Sequence, residues 1–126
     1  MLDTPSVPKN REGAWLWLFK IVAGLVIVIL LGVHFLVNHL IAPEGLLTYQ
    51  EVVQYYTNPI VPIMEGVFLV FVVSHALLGL RSILLDLNPS EKLLKIMNVI
   101  LVIVGVVSIT YGIWLLTVIV QRGSAL

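Results

Sequence analysis

No cysteine occurs among the 126 residues, so no disulfide, thiolate metal site or iron–sulfur cluster can belong to this chain. Charge is also scarce. Only 11% of residues are Asp, Glu, Lys or Arg, seven acids against seven bases, where soluble domains carry about 25%. A formal net charge of zero gives no reason to expect nucleic acid as a partner. The chain is too short and too apolar to include a separate soluble catalytic domain. Hydrocarbon takes the place of charge: 60% of residues are hydrophobic and the mean hydropathy is +1.07, whereas soluble domains are about 45–50% apolar. The composition is that of a membrane protein. Any electron carrier must be held by histidine or be a diffusible quinone.

Three apolar runs are long enough to cross about 30 Å of hydrocarbon at 1.5 Å per residue. They cover about 14–41, 60–87 and 93–120, within one membrane-anchor domain, 1–126. The expected fold class is therefore an all-α membrane protein of three transmembrane helices. Pro43 and Gly45 end the first run, and Pro59 and Pro62 open the second, where proline is tolerated in a first turn. Ser90 is a candidate N-cap for the third. A short helix over 50–56 is expected on the membrane surface. The first run is longer than a signal-peptide core and lacks a clear cleavage site, so a cleaved leader is not expected. There is no internal repeat. Lys9, Arg11 and Lys20 flank the first run, and Arg81, Lys92 and Lys95 surround the second turn, whereas the first loop has no Lys or Arg. The positive-inside rule then predicts a cytoplasmic N-terminus and an external C-terminus. Trp15 and Trp17 suit the cytoplasmic aromatic belt, and Tyr49, Tyr55, Tyr56 and Trp114 the outer one.

The second run carries a polar stripe. His75, Gly79, Ser82 and Asp86 follow one another at steps of four, three and four, which keeps them on one helix face. An ionisable group inside a membrane segment is a functional hypothesis by default, and neutral imidazole is a common axial ligand of haem iron. The bland alternative has His75 bonded to a neighbouring helix and Asp86 capping the turn. Gly79 would leave room for something flat. The first run has its own stripe: Lys20, Gly24, Ile27, Leu31, His34 and Asn38. Lys20 can pair with an anionic propionate or substrate, or snorkel to lipid headgroups. His34 can ligate a second haem, stand near an outer quinone, or be a packed, hydrogen-bonded histidine. His39 lies nearer the outer surface. Arg81 projects about 120° from His75 round the helix, toward a soluble partner, a propionate or a lipid phosphate. Glu65 is expected to reach the interface. Gly105 and Gly112 form a small-residue groove for close helix packing, and Asn98, Ser108 and Thr110 serve as interhelical glue.

His75-Ala-Leu-Leu-Gly79-Leu-Arg81-Ser-Ile-Leu-Leu-Asp86 resembles the second-helix motif of the smaller, D-type hydrophobic anchor of succinate dehydrogenase (succinate:quinone oxidoreductase, respiratory complex II). The three-helix plan and Thr48-Tyr49 after the first helix are also similar. The resemblance implies that His75 is an axial ligand of haem b, opposite a histidine of a second, C-type anchor. It implies that Lys20 contacts a haem propionate where the family usually has arginine, and that Asp86 borders the quinone site. The family's tyrosine after that aspartate is Leu87 here, which cannot donate a bond to a quinone carbonyl. The implied partners are the C-type anchor, an iron–sulfur subunit, a flavoprotein subunit, the bilayer, and ubiquinone or menaquinone as substrate. The implied location is the prokaryotic cytoplasmic membrane, and the chain would not be catalytic alone. Two other readings compete: an anchor of fumarate reductase or another haem b respiratory complex, and a non-haem structural protein whose stripes only pack helices. The last predicts no haem absorbance.

Overall fold

Apolar runs with no water to satisfy their backbone close their own hydrogen bonds as helices. A computed structural model describes residues 13–41 and 47–125, without the side chains of 37, 38 and 41. Lys9, Arg11, Pro43, Gly45 and the Asn38 side chain lie outside this set. The described residues are helical, without strands. Helix α1 (Ala14–Phe35) continues as a π-helical segment (Leu36–Ile41), followed by α2 (Tyr49–Tyr55), α3 (Ile60–Asp86) and α4 (Glu91–Gly123). The three long helices are apolar and long enough to cross a membrane. At 1.5 Å per residue α1, α3 and α4 are about 33, 40 and 50 Å long. The ends of α4 therefore extend beyond about 30 Å of hydrocarbon.

Local chemistry sets the ends. Thr48 and Glu51 form a capping box at α2: Glu51 N–H donates to Thr48 Oγ1 at 3.4 Å, and Thr48 N–H donates to Glu51 Oε2 at 2.6 Å. Thr48's backbone N–H, and then its side chain, hold the Glu51 carboxyl below the usual carboxylate range. The surface helix expected over 50–56 is thus present, shifted by one residue. After α3, Asn88 takes a positive φ of 51°, a left-handed helix stop that asparagine tolerates. Ser90 caps α4 as expected, accepting from Leu93 N–H at 3.3 Å. That cap and Glu91 start α4 two residues before the expected 93.

Helix α3 lies between α1 and α4 and runs antiparallel to both. Contacts such as Gly24–His75 and His34–Glu65 fix the α1/α3 register, and Gly66–Ile113, Leu77–Gly105 and Arg81–Asn98 fix that of α3/α4. Gly105 and Gly112 do bring α3 and α4 together. A Cβ on Gly105 would stand 2.9 Å from Leu77 Cδ1, and one on Gly112 would collide with Leu69. At the far end of α4, buried Gly123 packs against Val53 of α2, and Arg122 donates to Tyr49 Oη at 2.6 Å. Among the described residues the buried apolar set is small, Ala23, Val53 and Val61. The other apolar side chains face outward, which in lipid carries no hydrophobic penalty.

Candidate functional site

The α1/α3 seam gathers the polar residues. His75 Nδ1 lies 3.1 Å from the backbone carbonyl of Lys20. A carbonyl only accepts, so the bond requires the proton on Nδ1 and leaves a lone pair on Nε2. Metal-ligating imidazoles are oriented in this way, one ring nitrogen donating to protein and the other carrying the ligating pair. The ring can lie this close because position 24 is glycine: a Cβ there would stand 3.1 Å from His75 Cε1.

Two turns further along α3, Lys20 Nζ donates to Ser82 Oγ at 2.6 Å, and Ser82 donates to the Leu78 carbonyl at 3.0 Å. Lys20 thus touches α3 twice, by its carbonyl at His75 and by its ammonium at Ser82, about 10 Å apart along the axis. Between those contacts, a Cβ on Gly79 would meet nothing within 4 Å. The room expected beside Gly79 is present. Asp86 ends α3 and is exposed, and no hydrogen bond joins it to this group among the described residues. Leu87 follows, 73% exposed.

The other half of the α1/α3 seam holds a second group. His34 Nδ1 lies 3.0 Å from Glu65 Oε1, and the His34 ring stacks on Phe68 with centroids 6.4 Å apart. Glu65 was expected at the interface. Its side chain instead turns inward, 14% exposed, because the antiparallel register sets it opposite His34. His34 and Glu65 border a cavity of about 180 Å³ also lined by His39, Val52, Tyr55 and Tyr56. Burial, followed by the negative charges of Glu65 and Tyr55, pushes the Tyr56 hydroxyl up to about 12. Tyr55 is raised by burial and then by Glu65. His39 stacks on Phe35 at 5.0 Å.

Arg81 lies apart from both groups. Its Nε donates to Asn98 Oδ1 at 2.9 Å, facing α4 while His75 faces α1. The glue expected of Asn98 is therefore specific to Arg81. The His34–Glu65, Lys20–Ser82 and Arg81–Asn98 pairs escape sequence reading because each depends on interhelical register. Their members, taken singly, are visible as polar breaks in apolar runs.

The family model of the succinate dehydrogenase/fumarate reductase transmembrane subunit matches residues 6–112. The chain is 31% identical over 100 residues to the succinate dehydrogenase hydrophobic membrane anchor subunit of Archaeoglobus fulgidus, covering 79% of this chain and 85% of the relative. It is 29% identical over 104 residues to the subunit of the same name from Thermoplasma acidophilum, covering 82% and 85%. It is 37% identical over 80 residues to the succinate dehydrogenase 2 membrane subunit SdhC of Mycobacterium tuberculosis, covering 62% and 57%. With a family match over most of its length and three helices fit to cross a bilayer, the chain belongs to the succinate dehydrogenase/fumarate reductase transmembrane subunits and is a multi-pass membrane protein.

Proposed function

We propose that this chain is the D-type anchor of a succinate dehydrogenase in a prokaryotic cytoplasmic membrane. It holds haem b jointly with a C-type anchor, borders the quinone-reduction site, and seats the iron–sulfur and flavoprotein subunits on the cytoplasmic face. The observation that carries this reading is the Nδ1 bond of His75 to the Lys20 carbonyl, which commits Nε2 to the role of acceptor or ligand. The open space at Gly79 supports a flat group beside that ring, and the Lys20 ammonium two turns away supports propionate carboxylates at that edge.

With His75 as one of the residues that would hold it, haem b would take up and release one electron there. The chain's own part is positional. Lys20 fixes the tautomer and the plane of His75, Gly24 admits the ring, and packing of α1 on α3 excludes water. Asp86, exposed near the cytoplasmic end of the same stripe, supplies an acid beside the quinone. Leu87 contributes no donor, so the hydrogen bond to the quinone carbonyl comes from another side chain.

A second haem is favoured by one further observation. His34 has its Nδ1 on Glu65, a carboxylate–histidine pair of the kind that orients metal-ligating imidazoles. Purification of the assembled complex in mild detergent, with a reduced-minus-oxidised spectrum, tests both readings. His75→Ala removes the absorbance of one haem, and His34→Ala removes that of the other. Full haem content in the His75 variant would end the proposal. A wild-type spectrum with one haem would end the second reading alone. Turnover with succinate against turnover with fumarate separates the dehydrogenase from a fumarate reductase.

A further inference from the structure

On the side of α3 turned from His75, a groove of about 540 Å³ runs between α1 and α4. Phe19, Leu78, Val102 and Val106 make its walls apolar, and Arg81 and Asn98 stand at one end. The bond from Arg81 Nε to Asn98 fixes the guanidinium there. Arg81 lies five residues before the end of α3, about 7.5 Å, and Asn98 seven residues after the start of α4, about 10 Å. Because α4 is longer than the hydrocarbon is thick, its first turns stand in the headgroup layer. The Arg81–Asn98 pair therefore sits at the boundary where phosphates lie. Lys92 and Lys95 are exposed at the same end. From Asn98 the lining continues along α4 to Ile109, about 16 Å.

We infer that this groove binds an anionic phospholipid, its phosphate at Arg81 and one acyl chain along the trough between α1 and α4. A guanidinium is a planar fork matched to phosphate oxygens, and basic pockets between spans at the cytoplasmic interface select anionic headgroups. The inference is independent of any group at His75.

The assembled complex is reconstituted with equimolar phosphatidylglycerol and phosphatidylcholine, re-extracted in mild detergent, and its retained lipids are counted by mass spectrometry. The wild type retains about fivefold more phosphatidylglycerol than Arg81→Gln, with phosphatidylcholine unchanged, and Arg81→Lys keeps an intermediate amount. Val106→Trp, which fills the groove from a lipid-facing position, loses the same phosphatidylglycerol with Arg81 intact. This second variant carries the test if Arg81→Gln fails to assemble. Equal phosphatidylglycerol in wild type and Arg81→Gln would overturn the inference, as would full retention in Val106→Trp. Loss of the second anchor from Val106→Trp with lipid unchanged would also overturn it, and would identify the groove as a helix seat.

Discussion

The two seams of α3 are built from different chemistry. Toward α1 the contacts are polar: an imidazole on a main-chain carbonyl, an ammonium on a hydroxyl, and a histidine on a carboxylate. Toward α4 they are mostly leucine and isoleucine side chains against glycine, with Arg81–Asn98 as a polar exception. In lipid, apolar surface gains nothing by leaving its neighbours, so both close packing and polar bonds can hold helices together. The α4 seam uses the first and serves as scaffold. The α1 seam uses the second, and its ionisable groups make it the candidate place for chemistry.

Substitutions can separate the roles. The largest expected effect is at Gly24, although it is neither ligand nor charge. Gly24→Val drives a branched side chain into the His75 ring, and most of the haem proposed there is lost from the difference spectrum while His75 remains. Retention would show that the ring's place on α1 is unimportant. The matching change across α3, Gly112→Val, overpacks Leu69 and costs about 1–3 kcal/mol, read as a lower Tm. Haem per folded complex stays constant if the α4 seam is only scaffold. Lys20→Met deletes the ammonium and keeps the carbonyl. Its interhelical bond is worth about 0.6 kcal/mol and at most about 1.7. Redox titration should find the haem present with a more negative midpoint, because a cation favouring the reduced form is gone. Asn98→Ala on the other seam costs about 0.6 kcal/mol and leaves the midpoint unmoved.

The smallest effect concerns pH at the cavity beside His34 and Glu65. Tyr56 is raised from 10.0 to about 12 in the folded chain, so the folded form binds this proton more tightly than the unfolded one. The stabilisation is whole below pH 10 and is lost as pH climbs through 12. Glu65→Gln lowers the Tyr56 midpoint in a spectroscopic titration but leaves it above 10.0, because burial is the larger cause.

Much of the fold was legible because hydropathy alone marks spans. The starts and stops at Pro59, Asn88 and Ser90 follow from backbone chemistry that neighbouring residues announce. The α2 cap was missed: Thr48 with Glu51 three residues on is a capping box, a signal in the sequence that places the start of the helix one residue before the expected 50. The stripes on α1 and α3 were visible as stripes, Gly79 as a place with room, and Gly105 and Gly112 on α4 as places of close approach. The pairings were not. Glu65 reads as an interfacial acid until the register sets it against His34, and Arg81 has several plausible partners until α4 brings Asn98 to it. Bonds between side chains some 17 to 62 positions apart are decided by helix register, which periodicity within one helix does not contain.

The acceptor that holds His75 is a peptide oxygen, and every amino acid at position 20 has one. The imidazole's orientation is therefore inherited from the path of α1 rather than from any side chain. The side chain at position 20 can therefore change without loosening the ring. The neighbour one turn on is held more tightly, because even a methyl group at position 24 would stand 3.1 Å from the ring and force it to give way.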